Sequence, residues 1–219
     1  MVLCLLIGLA SLMLTLFNYN HALHRVPIWW DLQANPWIYG PRWLGMLFLP
    51  FLTVLVPCAL YKTVSNDDLD SHGYESKNSV LNIVILTALY LFTIQMYVIV
   101  PADIEPKHIF PARSFVANTA LWLLLYFGHN IKDLESNMVV GIINPWTTDN
   151  TWEKLHSRAS LVFEISGVLL FIAAFVVPIG WPLLVTLLVL WLGPWLVSYG
   201  LAYSYESSSS IDEPLLNNN

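Results

Sequence analysis

Residues 137–158 carry the densest set of side chains that can bind a ligand or a partner, in the run N-M-V-V-G-I-I-N-P-W-T-T-D-N-T-W-E-K-L-H-S-R. Asn144 before Pro145 predicts a turn, because the residue before a proline is disfavoured in the helical region. Asn150 or Thr151 can then cap a helix that begins directly afterwards. Four side chains of that helix fall at i, i+4, i+8 and i+12, roughly one face: Trp152, His156, Ser160 and Glu164.

Two residues of this face can do specific chemistry. His156 can act as a proton-sensitive switch, since histidine changes charge near physiological pH; the structural alternative is a stacked pair with Trp152. Glu164 lies well inside an apolar run, where an acid usually faces the helix bundle and finds a partner. It either makes a buried structural hydrogen bond or binds a ligand or proton. The partners that we expect near it are Ser160, Arg158, and His129 or Asn130 of the preceding helix.

The predicted ligand-binding or partner-binding residues lie in or next to this segment. They are Asn137, Gly141, Asn144, Pro145, Trp146, Thr147, Trp152, His156, Arg158 and Glu164. Pro145, Trp146 and Thr147 can form a wedge at the membrane surface that contacts a ligand, or a turn whose tryptophan anchors at the lipid headgroups. For Asn137 and Asn144 we favour a structural role, in which their side chains satisfy carbonyl groups of the loop.

The sequence specifies no catalytic constellation, so we predict a protein that is not an enzyme and has no cofactor. The motifs G-x-S-x-G, H-E-x-x-H and G-x-x-x-x-G-K-[ST] are absent. His21 and His24 have a spacing that can bind a metal, but Asp31 is the only acid nearby, and we predict no metal site. Cys4 and Cys58 lie in apolar blocks, where cysteine is typically a small buried hydrophobic residue.

The composition indicates a membrane protein. The chain is 57% hydrophobic and 11% charged, against about 25% charged residues in a typical soluble domain. Several apolar blocks approach the length of about 20 residues that spans a bilayer core of ~30 Å. We therefore predict an all-α, polytopic membrane protein with six transmembrane helices in one bundle. The net charge of −6 lies largely in connectors and the tail, which argues against a nucleic-acid surface.

The predicted helices cover about residues 2–18, 43–62, 79–100, 112–131, 151–177 and 183–203. The connector 18–42 is rich in tryptophan and proline, which predicts an aromatic loop at the headgroups. Gln95 interrupts the third helix and is expected to face another helix. We divide the chain into an N-terminal helix pair with its aromatic loop (1–62), an acidic loop with the third helix and its connector (63–110), a region of helices four to six (111–203) and a disordered tail (204–219).

The distribution of basic residues favours cytoplasmic termini and a cytoplasmic segment 137–158. Connectors two and four contain five Lys or Arg residues, whereas connectors one and three contain four. Cytoplasmic loops of membrane proteins carry the excess of such residues. The first 17 residues lack a charged start and a small-residue cleavage site, so we do not expect a signal peptide that is removed.

Two stretches resemble the SdpI family of bacterial membrane proteins and the domain that often precedes it. The family pattern is close to G-N, N, G-I-R-T-P-W-T, W and T-H-R, and the matching residues here are Gly128-His129-Asn130, Asn137, Gly141-Ile142, Pro145-Trp146-Thr147, Trp152 and His156. The preceding domain has R-I-P-x-H-W-x-x-x-G-x-P, and the matching residues are Arg25-Val26-Pro27, Trp30, Pro36 and Arg42. With the six-helix plan, the resemblance covers most of the chain.

Several positions depart from the family pattern. The arginine after Gly-Ile is Ile143 here, and the next threonine is Asn144. Upstream, Trp29, Ala34 and Trp37 replace a histidine, a glycine and an aspartate. These changes remove charge and ligand capacity from both stretches, so an activity that used those groups is lost or relocated.

The resemblance implies a bacteriocin-immunity or toxin-signalling protein of the cell (inner) membrane. The best-known members of the family protect a producing cell from its own secreted peptide toxin, and are thought to hold a transcriptional repressor at the membrane when toxin is bound. We therefore predict a binding protein in the lipid bilayer that recognises a membrane-active peptide and responds through a cytoplasmic regulator. The alternatives are a small-molecule or ion transporter whose polar path contains Glu164, His156 and Gln95, and an accessory subunit of a larger membrane complex.

Overall fold

The computed structural model describes residues 2–22, 24–31, 33, 35–66, 74–102, 111–134 and 149–212. The helices in these ranges are α1 (Val2–Tyr19), α2 (Arg42–Asn66), α3 (Tyr74–Ala102), α4 (Ala112–Trp122), α5 (Asp149–Val176) and α6 (Trp181–Asp212). Beyond α4 the chain continues as a π-helix, Leu123–His129, and a 3-10 turn, Ile131–Asp133. Two strands, β1 (Arg25–Trp30) and β2 (Pro36–Pro41), lie between α1 and α2. The fold is mostly helical, as predicted.

Five of the described helices are long and apolar enough to cross a membrane: Val2–Tyr19, Arg42–Lys62, Asn78–Tyr97, Thr151–Val176 and Trp181–Tyr205. Their outward surfaces expose many leucine, valine and phenylalanine side chains. Such surfaces suit a hydrocarbon environment and indicate a multi-pass membrane protein. The helix α4 is not among the five, because its α-helical part ends after 11 residues where the π-helix begins.

The connector between α1 and α2 is a β-hairpin, which the prediction of an all-α chain with a loop here did not anticipate. Its strands pair antiparallel, with Val26 opposite Gly40. The carboxylate of Asp31 closes the turn, since it accepts the backbone N–H groups of Gln33 at 2.9 Å and Asn35 at 2.8 Å. Tryptophan, tyrosine and β-branched residues suit a pleated surface. The prolines are tolerated because a two-stranded sheet consists of edge strands only.

Three helices extend well beyond the predicted apolar runs, and the first of them, α2, continues to Asn66. The helix α6 continues to Asp212, so residues 204–212 of the predicted disordered tail are helical, and residues 213–219 lie outside the described residues. The helix α3 begins at Tyr74, inside the loop predicted for residues 63–78. Hydropathy marks only the part of a helix that a bilayer covers, whereas serine and glutamate continue a helix into water at small cost.

Buried polar contacts join α1 to α3. Gln95 has no exposed surface, and its Nε2 donates to the Ser11 carbonyl at 2.9 Å and to Thr15 Oγ1 at 2.6 Å. The Ser11 hydroxyl donates to Gln95 Oε1 in return. The prediction that Gln95 faces another helix is therefore confirmed, and all of its polar atoms have partners.

An aromatic core joins the π-helix to α5 and α6. The rings of Phe127 and Phe163 stack at a centroid distance of 4.8 Å. Trp195 of α6 meets both rings edge-on, at 4.8 Å and 5.3 Å. Because Phe163 is fully buried, this cluster fixes the rotation of α5 relative to its neighbours.

Arginine side chains cap two helices at the hairpin end of the bundle. Arg42 donates to the carbonyl groups of Tyr19 at 2.9 Å and Ala22 at 3.3 Å, and its guanidinium lies 4.3 Å from the centroid of the Tyr19 ring. Arg113 donates at 2.8 Å to two carbonyl groups in the last turns of α5. A cation is favourable at a helix C-terminus, where carbonyl groups lack partners within the helix. The starts of α2 and α4 are thereby fixed to the ends of α1 and α5.

Candidate functional site

The face of α5 predicted to carry the site packs against the end of the helical run that begins with α4. Trp152, His156 and Ser160 are all buried. The indole N–H of Trp152 donates to the Leu134 carbonyl at 2.8 Å, and the Ser160 hydroxyl donates to the Gly128 carbonyl. Two parts of the downstream motif therefore meet in space: the residues around Gly128 and the α5 residues Trp152 and His156. Side-chain hydrogen bonds to backbone carbonyls join them.

Trp152 and His156 form a stacked pair. Their ring centroids are 3.9 Å apart and their planes differ by 23°. His156 Nδ1 lies 2.9 Å from the Trp152 carbonyl oxygen. Because a carbonyl oxygen only accepts hydrogen bonds, Nδ1 carries the proton, and this contact sets the tautomer of the neutral ring. The stacked arrangement is the structural alternative given above for this histidine, and its role as a switch stays a prediction.

Glycines permit a close approach of α5 to the preceding helical run. A Cβ atom at Gly128 would lie 2.6 Å from Glu164 Cγ and 3.3 Å from the Glu164 backbone nitrogen. A Cβ atom at Gly167 would lie 2.9 Å from Leu124 Cβ and 3.1 Å from the Ala120 carbonyl oxygen. Small residues at helix interfaces in membranes allow such backbone contacts. This close contact places the Gly128 carbonyl within reach of Ser160.

Asn130 connects the same region to α3. This residue is buried, and its Nδ2 donates to the Leu125 carbonyl inside the π-helix. Its Oδ1 accepts a hydrogen bond of 3.2 Å from Nδ2 of Asn82. The sequence analysis did not identify Asn82, although an amide in the first turns of an apolar helix is a usable signal. The pair forms a polar bridge between α3 and the end of the π-helix.

Glu164 does not have the partners that we predicted for it. It is half-buried, and no described residue forms a hydrogen bond or an ion pair with its carboxyl group. Ser160 and Asn130 are engaged with backbone carbonyls, Arg158 lies over a tyrosine ring of α6 at 5.4 Å, and His129 is exposed. Arg158 is six positions from Glu164, a spacing that puts the two side chains on different helix faces.

The predicted site is only partly within the described residues. Asn137, Gly141, Asn144, Pro145, Trp146 and Thr147 lie in residues 135–148, outside the described ranges, and their roles stay predictions. The other predicted members are on α5 but do not form one cluster: Trp152 and His156 are buried, Glu164 is half-buried and Arg158 is exposed.

A cavity of about 750 Å³ lies at the other end of the bundle, between the hairpin and the first turns of α4 and α6. We name it the hairpin cavity. It is lined by Ile28, Trp29, Trp30, Asp31, Gln33, Trp37, Phe115 and Leu184. Trp29 is 60% exposed and Trp37 is 71% exposed. Phe115 lines this cavity near the start of the helical run, and Leu134, which contacts Trp152, directly follows the end of the run. At 1.5 Å per residue, the run separates the cavity from the Trp152–His156 pair by roughly 30 Å.

The hairpin cavity and two smaller cavities are not lined by Gln95, His156 or Glu164. Gln95 belongs to the α1–α3 contact, far along the chain from the α5 residues. Within the part of the chain that the structure describes, no three His, Cys, Asp or Glu side chains converge as metal ligands.

No protein-family model, no curated protein and no solved structure matches this chain. The resemblance to the SdpI family therefore rests on the residues given above.

Proposed function

We propose that this chain is a six-span membrane protein that binds a membrane-active peptide in the hairpin cavity. The observation that carries the proposal is the cavity itself, about 750 Å³ in volume and open between three tryptophans and two helix ends. Ligand sites of proteins are concave, mostly apolar and a few hundred Å³ or more in volume. Exposed tryptophan is also among the residues that contribute most to peptide recognition.

The sixth span is the helical run of residues 112–133, in which α4 continues into the π-helix and the 3-10 turn. At 1.5 Å per residue this run is roughly 30 Å long, enough to cross the hydrocarbon. Arg113 lies at its start, and Lys132 and Asp133 lie at its end, so the charged side chains fall at the two membrane boundaries. Six alternating spans would put the hairpin and the connector that contains residues 135–148 on opposite sides of the membrane. The distribution of basic residues favours the outer side for the hairpin.

The lining of the hairpin cavity favours a cationic, amphipathic peptide. The faces of Trp29 and Trp37 attract cations, and the carboxylate of Asp31 adds charge complementarity. Phe115 and Leu184 form the apolar floor at the start of two helices. A peptide with basic and apolar side chains would therefore satisfy both parts of the surface.

A regulator that responds to peptide binding would contact the protein at the end of the bundle opposite the hairpin. Residues 135–148 connect Leu134, whose carbonyl accepts the hydrogen bond from Trp152, to the first turn of α5. A shift of α4 would change this contact and with it the loop presented to a cytoplasmic regulator. Such signalling requires two states that differ in affinity for the peptide.

We favour binding over transport, because none of the three cavities described above is lined by Glu164 or His156. Within the described residues, we identify no specific contact surface that supports the alternative of an accessory subunit of a larger membrane complex.

The test is peptide binding by the full chain in neutral lipid nanodiscs, with a panel of labelled cationic membrane-active peptides. The double variant Trp29→Ala/Trp37→Ala should bind at least about 30-fold more weakly, the loss expected for a truncated hot spot of 2 kcal/mol. Trp181→Ala is the matched control, since Trp181 is 65% exposed at the same end and does not line the cavity.

Asp31→Asn tests the contribution of the carboxylate charge to peptide affinity. The turn is retained, because the asparagine oxygen can still accept a backbone hydrogen bond. It should weaken cationic peptides only, and this loss should shrink as salt is added. Equal affinity of the double tryptophan variant and the parent chain for every peptide that binds would refute the hairpin cavity as the site. Survival of a toxin-sensitive host that expresses the same variants then tests whether binding protects.

A further inference from the structure

A second cavity, of about 340 Å³, lies between β1 and the first turns of α2. We name it the base cavity. Every residue that lines it is apolar, among them Pro27, Trp30, Leu44, Phe48 and Leu49. It shares Ile28 and Trp30 with the hairpin cavity but lies against α2, whereas the hairpin cavity lies against α4 and α6.

The base cavity lies beside the start of a candidate membrane span. The membrane-spanning part of α2 begins at Arg42, so that Leu44 and Phe48 lie in the first turns of the span. These two side chains are 37% and 53% exposed on the outward surface of the bundle. Lipid acyl chains are the apolar groups that occupy the bilayer at this depth. An apolar cavity beside the first turns of this span is therefore within reach of acyl chains.

The walls of the base cavity are held in place by the contact between the hairpin and α2. A Cβ atom at Gly45 would collide with Val26, so the backbone of α2 lies directly against β1. Val26 and Met46 have no exposed surface and belong to one apolar cluster. This buried contact fixes β1 against α2 next to the cavity, whose own lining is half-buried or exposed.

A cationic side chain stands beside this apolar space. Arg25 is exposed and lies two residues before Pro27 on β1, in the regular part of the strand. Side chains two apart on a strand share a face and are roughly 7 Å apart. Arg25 therefore lies on β1 close to Pro27, which lines the cavity, and its long side chain can reach the edge of this apolar space. Arginine recognises phosphate oxygens through two parallel hydrogen bonds.

We propose that the base cavity binds one acyl chain of an anionic phospholipid, whose headgroup phosphate pairs with Arg25. The apolar lining holds the chain, and the arginine selects lipids with net negative charge. This site goes beyond the proposed peptide binding, because it uses a different cavity and a different ligand class. A bound lipid would support the hairpin from the membrane side.

The test is native mass spectrometry of the full chain in detergent, titrated separately with phosphatidylglycerol and phosphatidylcholine. The parent chain should retain phosphatidylglycerol more strongly. Arg25→Gln should lower this retention about tenfold, as expected for the loss of one charge-assisted contact, and should remove the preference over phosphatidylcholine. Leu44→Trp, which fills the cavity, should lower the retention of both lipids.

Two variants serve as controls. Lys132→Gln removes an exposed cation at the other end of the bundle, and Leu55→Trp enlarges an exposed side chain of α2 that lines neither cavity. Both should retain lipid like the parent chain. Thermal unfolding of every variant identifies any that is misfolded. If Leu44→Trp is misfolded, the smaller change Leu44→Phe is used in its place.

The proposal is overturned if Arg25→Gln keeps the full preference for phosphatidylglycerol, or if the cavity-filling variant retains it like the parent chain. Tight binding of soluble glycerol phosphate, which has no acyl chain, would also overturn it. Peptide binding is measured on the same variants. A failure of the lipid proposal with intact peptide binding, or the reverse, therefore distinguishes the two sites.

Discussion

Substitution of Gly128 by alanine tests whether the contact between α5 and the π-helix sets the geometry of the Trp152–His156 region. The added Cβ atom would lie 2.6 Å from Glu164 Cγ. Carbon atoms in contact prefer about 3.5–4.0 Å, so one of the two must move by about 1 Å. Overpacking of a close interface costs about 1–3 kcal/mol. We therefore expect the free energy of unfolding to fall by that amount.

The control is Gly193→Ala in α6, where a Cβ atom would meet nothing within 4 Å. Alanine is better than glycine inside a helix by about 0.5–1 kcal/mol, so this variant should be slightly more stable than the parent chain. The two alanine variants should differ by at least about 1.5 kcal/mol. The assay is equilibrium unfolding in mixed micelles of a mild detergent and SDS, followed by far-UV circular dichroism.

A second substitution tests whether Glu164 Cγ is the atom that collides with the added Cβ. Glu164→Ala removes Cγ and leaves the Glu164 Cα and backbone nitrogen at 3.3 Å from the added Cβ, a distance that a small shift can accommodate. In this background Gly128→Ala should therefore cost less than about 1 kcal/mol. If Gly128→Ala is as stable as Gly193→Ala, or if Glu164→Ala gives no rescue, the close approach described here is incorrect.

Two further substitutions test the contacts that hold the helices together, in the same unfolding assay. Trp152→Phe keeps the ring that stacks on the histidine but removes the N–H group that donates to Leu134, and should lower the free energy of unfolding by about 1–2 kcal/mol; an unchanged value, equal to that of the exposed control Trp181→Phe, would contradict the assigned hydrogen bond. Gln95→Leu keeps the side-chain volume but removes three contacts to α1, at about 0.6 kcal/mol each, and should cost about 2 kcal/mol. Its control is Thr93→Val on the same helix, whose hydroxyl donates only to a carbonyl of its own helix, and similar stabilities for both variants would argue against the α1–α3 contact.

The sequence predicted the helices well, because long apolar runs have few alternatives in a bilayer. Proline did not disturb these predictions: Pro50 and Pro57 lie within the predicted helix 43–62 and inside α2. The hairpin was missed because its strands mix prolines with aromatic residues and do not alternate regularly between polar and apolar side chains. Its formation depends on the turn at Asp31 and on the contact of Val26 with α2, and the sequence of the connector alone does not show the contact with α2.

The sequence predicted which residues of the candidate site share a face of α5, but not which residues of other helices they contact. The period of α5 placed Trp152, His156 and Ser160 on one face, and all of them are buried. The same period gave no information about the partner helix, so it did not show that Glu164 would lie against Gly128 and form no hydrogen bond with the described Ser160, Arg158, His129 or Asn130. Which side chains meet across an interface depends on the rotation of each helix and on their separation.

The sequence by itself therefore determined the class of the protein, the positions of its membrane helices and the polar face of α5, because each depends only on local composition and on the helical period. The tertiary structure alone decided that Gly128 accepts from Ser160 and that the hairpin forms a tryptophan-lined cavity with α4 and α6. Both depend on how closely two backbones approach and on which carbonyl groups remain without partners at the ends of helices. Neither quantity is contained in the order of residues along one segment.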